Sequence, residues 1–247
     1  MVGKLLLRGM LIGIVAGILA FIFAHTFGEP MVDKAIAFED AMAQAKGETP
    51  EPELVSRAIQ ATFGLATGVL VYGAALGGIF ALVFSYVYGR IGSFGPRGTS
   101  AVLAVLGFIA VYFAPLLKYP ANPPSVGNPE TIGLRTEIYF VMVVACVAAM
   151  CVAIAVARKL WAGRGAWTAS IAGGVVFIVL WAIVSVLMPY LNEVPEQFDA
   201  VTLWNFRIDS IGIQVILWTV IALGFGWLAE RELISSGALR RVAGRVR

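Results

Sequence analysis

Apolar positions in this chain gather into six long runs: Leu5–Phe27, Ala61–Tyr88, Thr99–Leu117, Ile138–Ala157, Trp167–Met188 and Ile208–Leu228. A bilayer core of about 30 Å is crossed by about 20 helical residues rising 1.5 Å each, so every run is long enough to span it. The pattern predicts an all-α polytopic integral membrane protein with six transmembrane helices, forming one membrane domain over residues 1–247. Composition strengthens that reading. Sixty per cent of the 247 residues are hydrophobic, 13 per cent are charged, and the mean hydropathy is +0.87. Soluble domains carry about a quarter charged residues, so the exterior of this chain is expected to face lipid.

The polar segments set the orientation. With the N-terminus inside, twelve of the 18 basic residues and only Glu230 and Glu232 of the 15 acidic ones fall on inner segments. Positive charge concentrates on the cytoplasmic side of membrane proteins, which places both termini in the cytoplasm and the chain in the plasma (cytoplasmic) membrane. The net charge of +3 reflects these inner loops and does not argue for nucleic acid. Leu5–Phe27 exceeds a signal-peptide apolar core and lacks a small-x-small cleavage site, so it is expected to remain as the first span. Cys146 and Cys151 share one span, but five residues turn a helix by about 500°, so the pair is read as two buried small hydrophobes.

Two inner loops, "GRIGSFGPRG" and "RKLWAGRGA", are short, glycine-containing and basic, predicting tight hairpins of spans 2–3 and 4–5. The first outer segment, about Gly28–Gln60, is acidic. A helix is expected over Val32–Ala45, with Pro30 suited to its start and Gly47 to its end, followed by a hinge at Pro50–Pro52. Gly9, Gly13 and Gly17, then Gly64 and Gly68, then Gly73 and Gly77 recur every four residues. Such ridges let helix backbones approach closely in lipid; a small-ligand path along exposed backbone is the other reading.

Ionisable residues are nearly absent from mid-span and gather at the outer ends, which limits where an ion could be recognised. His25, the single histidine, is followed by Glu29 and Asp33. If the helix continues through Pro30, the three stand at i, i+4 and i+8 on one face, where imidazole and carboxylates could ligate a divalent transition metal. An interfacial histidine beside two solvated acids is the plainer alternative. Each inward-running span is preceded by an arginine: Arg57, Arg135 and Arg207, the last two in the frames Arg135-Thr136-Glu137 and Arg207-Ile208-Asp209. A cation at a helix N-terminus opposes the helix dipole. Either each arginine snorkels and pairs locally, or all join an outer network with Glu29, Asp33, Glu130, Glu193 and Glu196.

The stretch "LLKYPANPPSVGNPETIGLRTE" holds four prolines between two apolar runs. Proline removes a donor and disfavours helix before it, so Lys118, Tyr119 and Asn122 are expected on a stiff, packed outer loop, residues 118–137. Asn128 is a candidate cap before Glu130 and Arg135.

That stretch, with "FGEPMVDKAIAFE", "YGRIGSFGPR" and "EVPEQFDAVTLWNFRIDSIGIQVILW", resembles the CbtA family of bacterial cobalt transporter subunits over most of the chain. The resemblance implies an inner-membrane subunit that carries cobalt, is linked to cobalamin biosynthesis, and works with a small single-span, histidine-rich subunit, CbtB. Positions shared with the family are Glu29, Pro30, Asp33, Lys118, Tyr119, Pro120, Asn122, Pro123, Pro124, Glu130, Thr131, Arg135, Trp204 and Arg207. The family is described with five spans against six counted here. Many relatives also carry histidines in the first outer segment, and this chain has none between Glu29 and Arg57.

The expected function is therefore a permease subunit for a divalent transition-metal ion, with cobalt as transported ion and no permanently bound cofactor. A non-transporting accessory subunit is the alternative. The chain contains no GxxxxGK[ST], HExxH or GxSxG, so neither nucleotide binding nor a familiar hydrolase is expected, and it is read as no enzyme.

Overall fold

A computed structural model describes residues 1–47, 55–90, 92, 94–124 and 126–237. The described residues form no strand. Five helices among them are long and apolar enough to cross a membrane: α1 (Val2–Lys46), α2 (Arg57–Val87), α3 (Pro96–Lys118), α4 (Ile132–Leu187) and α5 (Ala200–Ser235). Between 28% and 39% of the most apolar stretch of each is buried by the protein itself, so most of their hydrophobic surface needs lipid or another chain.

Five helices stand where six runs were counted, and Gly165 accounts for the difference. It interrupts α4 with φ 75° and ψ 167°, a conformation that only glycine adopts at low cost. Gly173 then lies so near the other arm that a Cβ on it would sit 3.1 Å from the Ala153 carbonyl oxygen. In a straight helix these residues would be about 30 Å apart, so α4 is a hairpin whose two arms pack against each other. The expected loop "RKLWAGRGA" is helical on both sides of that single residue.

Four π-turns interrupt the helices, at Ala24–Gly28, Gln60–Gly64, Ile109–Phe113 and Ile221–Phe225. Two of them end two residues before a proline, Pro30 and Pro115. Proline in a helix clashes with the carbonyl four residues back and offers no N–H. A wider turn relieves this: Glu29 N–H reaches the Ala24 carbonyl and Ala114 N–H reaches the Ile109 carbonyl, each five residues back. Helix α1 thus runs through Pro30 to Lys46, where Gly47 (φ 74°) ends it, rather than restarting at Pro30. The hinge expected at Pro50–Pro52 lies outside the described residues.

The chain divides into two compact units. Unit 1 comprises Met1–Val105, Pro123–Ser125 and Asp199–Arg247. Its centre is the glycine ridge: Gly9, Gly13 and Gly17 of α1 meet Gly73 and Gly77 of α2 backbone to backbone, the packing expected from their spacing. Next to it Phe80, Phe84, Trp218 and Phe225 form a buried edge-to-face cluster with ring centroids 5.0 to 6.4 Å apart. At this end of the unit Arg8 holds the buried Glu232 and donates to the Leu228 carbonyl, while Arg97 pairs with Glu230 at 2.5 Å. Unit 2 comprises Leu106–Asn122 and Val126–Phe198. Ala114, Met142 and Cys146 form its core, packed by Tyr119, Phe177, Trp181, Val184 and Met188. Cys146 is buried as expected, but Cys151 is exposed, because the turn between them carries it to the helix's outer face.

Candidate functional site

The candidate residues fall into two groups, one in each unit. In unit 1 the continuation of α1 past Pro30 carries Glu29 and Asp33 beside Arg57, which opens α2. Arg57 Nη2 donates to Glu29 and its Nε donates to Asp33 Oδ1 at 2.9 Å. Glu29 is 12% exposed and Asp33 62%, so the inner member of the cluster is largely out of water and the outer one is not. The guanidinium fork suits two carboxylates at once, and it neutralises charge that would otherwise repel across one turn of helix.

His25 is turned elsewhere. Its ring stacks on Phe21 and its Nδ1 lies 3.0 Å from the Ala61 carbonyl oxygen. That oxygen only accepts, so Nδ1 carries the proton and donates. The π-turn at Gln60–Gly64 explains why the acceptor is free: Leu65 N–H goes to the Gln60 and Thr62 carbonyls, leaving Ala61 without its helical donor. The histidine of one π-turn therefore covers the carbonyl released by another. No group of three His, Cys, Asp or Glu side chains able to hold a metal occurs among the described residues. The helix does run through Pro30, but the wide turn changes the angle between His25 and Glu29, and Arg57 occupies the carboxylates.

A recess of about 380 Å³ begins beside Glu29 and Gln60 and follows the glycine face of α2 past Gly64 and Gly68 to Tyr72, with Ile213, Gln214 and Leu217 of α5 opposite. From Gly64 to Tyr72 is about 12 Å of helix. Gln60 Nε2 donates to the Val55 carbonyl at 2.8 Å. Gln214 Oε1 is buried with no hydrogen-bond partner among the described residues. These two amides escaped sequence reasoning, although a glutamine inside the run "IGIQVILW" was a legible signal.

In unit 2 the proline-rich loop is packed, as its composition implies. Tyr119 donates its hydroxyl to the Pro189 carbonyl at 2.8 Å, and burial raises that hydroxyl's pKa. Lys118 Nζ stands 5.8 Å from the Tyr119 ring centre. Asn128 caps the turn with Oδ1 on Glu130 N–H at 3.0 Å. Glu193 accepts from Thr131 Oγ1 at 2.8 Å and Asn128 N–H at 3.1 Å, and lies 3.3 Å from Arg135 Nε. The Thr131 hydroxyl, then the Asn128 amide and the Arg135 charge, hold the Glu193 carboxyl below its ordinary range. Gly127 stands at φ 118°, a left-handed conformation that favours glycine, and leaves room for the Arg135 guanidinium beside it. Arg135 thus pairs with Glu193 rather than with its neighbour Glu137, which is exposed.

Arg207 and Asp209 do not stand at the start of a helix. Helix α5 begins at Ala200, and Asp199 caps it by accepting from Thr202 N–H at 2.8 Å and Thr202 Oγ1 at 2.6 Å. The Thr202 bonds, side chain first, lower the Asp199 pKa. Arg207 and Asp209 lie about two turns inside α5 and are half-buried.

Against this geometry, the family model described as "Probable cobalt transporter subunit (CbtA)" matches residues 2–230 of the chain. The chain belongs to the CbtA family. The match takes in all five long helices, both polar clusters and the recess, and it ends within α5. No curated protein and no solved structure matches the chain. Membership gives the chain the family's description, a probable cobalt transporter subunit, and the five long apolar helices fit a multi-pass membrane protein.

Proposed function

We propose that this CbtA chain is the permease subunit of a divalent-metal transporter, with cobalt as its cargo for cobalamin synthesis. It crosses the plasma membrane six times with both termini in the cytoplasm. The fold-back at Gly165 supports the count: its shorter arm, residues 166–187, is about 33 Å long and sufficient for one crossing. The excess of basic residues on the resulting inner segments supports the orientation. The end bearing Glu29, Asp33 and Arg57 is then the outer mouth.

The observation that carries the reading is the placement of Glu29 at the head of the recess, beside Asp33 and Arg57. An arriving dication competes with Arg57 for the Glu29 and Asp33 carboxylates. Coupling comes from outside the chain, since it carries no nucleotide-binding motif. The membrane potential alone is worth about 2.3 kcal/mol per charge per 100 mV. A small single-span, histidine-rich subunit is the proposed partner. The occupation of both carboxylates by Arg57 favours a second reading, an accessory subunit that organises such a partner.

Cobalt uptake into liposomes holding the purified chain, with Glu29→Ala/Asp33→Ala beside the parent, separates the two. Uptake that the double variant loses supports the permease and its acidic mouth. No uptake by folded protein, with or without the small partner bound, supports the accessory role.

A further inference from the structure

The turn of the α4 hairpin carries charge that the protein itself leaves unanswered. Arg158, Lys159 and Arg164 stand just before Gly165 and are exposed. None of the three has a hydrogen bond, ion pair or ring contact among the described residues. No acidic residue occurs in the chain between Glu137 and Glu193. Every other basic residue that the structure describes on the inner segments is engaged within the chain. Lys4 lies 3.6 Å from Glu232, and Arg8 holds the same carboxylate. Arg97 pairs with Glu230. Arg90 donates to the Tyr86 carbonyl, and Arg231 stacks 3.8 Å from the Trp227 ring centre. The cations left without a partner are thus gathered in one turn. Like charges this close repel one another unless an anion lies between them, and guanidinium forks match phosphate oxygens.

The apolar arms set the depth of that turn. The first arm is free of charge over residues 138–157, about 30 Å of helix, and the second over 166–187, about 33 Å. Each matches a hydrocarbon core of about 30 Å, so the turn emerges at the headgroup layer. From Arg158 to Arg164 is about 9 Å along the helix, comparable with one headgroup layer of about 5–8 Å. Trp161 and Trp167 flank the turn, 46% and 80% exposed. Indole rings at the ends of apolar helices sit where acyl chain meets headgroup. Cations framed by such rings at that depth meet the phosphate of a lipid before that of a solute.

We propose that the α4 turn binds the phosphodiester headgroup of an anionic phospholipid, with Arg158, Lys159 and Arg164 on the phosphate and Trp161 and Trp167 beside the glycerol. The bound lipid neutralises the turn and holds the hairpin at the membrane surface. The inference is independent of the permease reading. It takes from the section above only the topology, which puts the lipid in the cytoplasmic leaflet.

Native mass spectrometry of the full chain, titrated in detergent with equal dioleoyl phosphatidylglycerol and dioleoyl phosphatidylcholine, tests this. The parent is expected to retain phosphatidylglycerol selectively. Arg158→Gln/Lys159→Gln/Arg164→Gln should weaken that binding roughly a hundredfold, about fivefold for each cation removed from beside an anionic headgroup. Lys4→Gln/Arg90→Gln/Arg231→Gln removes the same charge from engaged positions and should leave the selectivity in place. Arg158→Lys/Arg164→Lys keeps the charge and should keep most of the binding, so a misfolded glutamine variant cannot pass for support. Equal retention of both lipids by the parent, or equal loss in the two triple glutamine variants, would overturn the site. Displacement of phosphatidylglycerol by inorganic phosphate would also overturn it and assign the cations to a soluble anion. Selective binding that depends on the three cations, together with labelling of Gly163→Cys from outside intact cells, would retain the site and remove the proposed topology.

Discussion

The glycine ridge of unit 1 makes a quantitative claim through Gly13. A Cβ at this position would lie 2.0 Å from the Gly73 carbonyl oxygen and 2.8 Å from its carbonyl carbon, while 3.4 Å or more is ordinary contact. The obstacle is backbone, which cannot rotate away, so Gly13→Ala must push α1 and α2 apart locally by about 1.4 Å. A gap of 0.5–1 Å already forfeits a quarter to a half of each dispersion contact. Overpacking costs about 1–3 kcal/mol, and the rigid neighbour puts this site near the upper end. Alanine returns up to about 1 kcal/mol through helix propensity, leaving a net loss of about 2 kcal/mol. Gly174→Ala is the control, because nothing lies within 4 Å of a Cβ there and only the propensity gain remains. Equilibrium unfolding in detergent, followed by tryptophan fluorescence, should separate the two variants by about 3 kcal/mol, roughly a hundredfold in the folding equilibrium. Gly13→Ala unfolding at the same denaturant concentration as Gly174→Ala would refute the close backbone contact.

Glu193 predicts a pH signature. Its folded pKa lies below the ordinary 4.5, so the stability it contributes is present above that value and lost as pH falls through the folded one. Thr131→Val removes the main cause; the stability gap to the parent should be full at neutral pH and shrink below about 4.5, whereas a gap independent of pH would reject this origin. The fold-back at Gly165 predicts topology: in a cysteine-free background, Tyr190→Cys should react with an impermeant maleimide on intact cells and Gly163→Cys only after the membrane is opened. Labelling of both from one side would reject a crossing by each arm of α4.

Much of the fold could be read from residue order, since a bilayer imposes length and apolarity on any spanning helix and both are local properties. The packing role of Gly9, Gly13, Gly73 and Gly77 and the stiffness of the loop before Arg135 were also legible, because small-residue spacing and proline chemistry act over a few residues. Hydropathy cannot see what tertiary structure decided. It does not register that Gly165 alone turns α4 back, nor that π-turns carry α1 and α3 through Pro30 and Pro115. It placed Arg207 at a helix start, whereas the carboxylate of Asp199 begins α5 two turns earlier. Above all, partners chosen across long separations are absent from any local pattern: Arg57 with Glu29 and Asp33, Arg135 with Glu193, His25 with the Ala61 carbonyl, and Gln214 facing the recess. A polar side chain near a membrane takes whichever complementary group the packed helices bring within about 3 Å, and only the assembled helices determine which group that is.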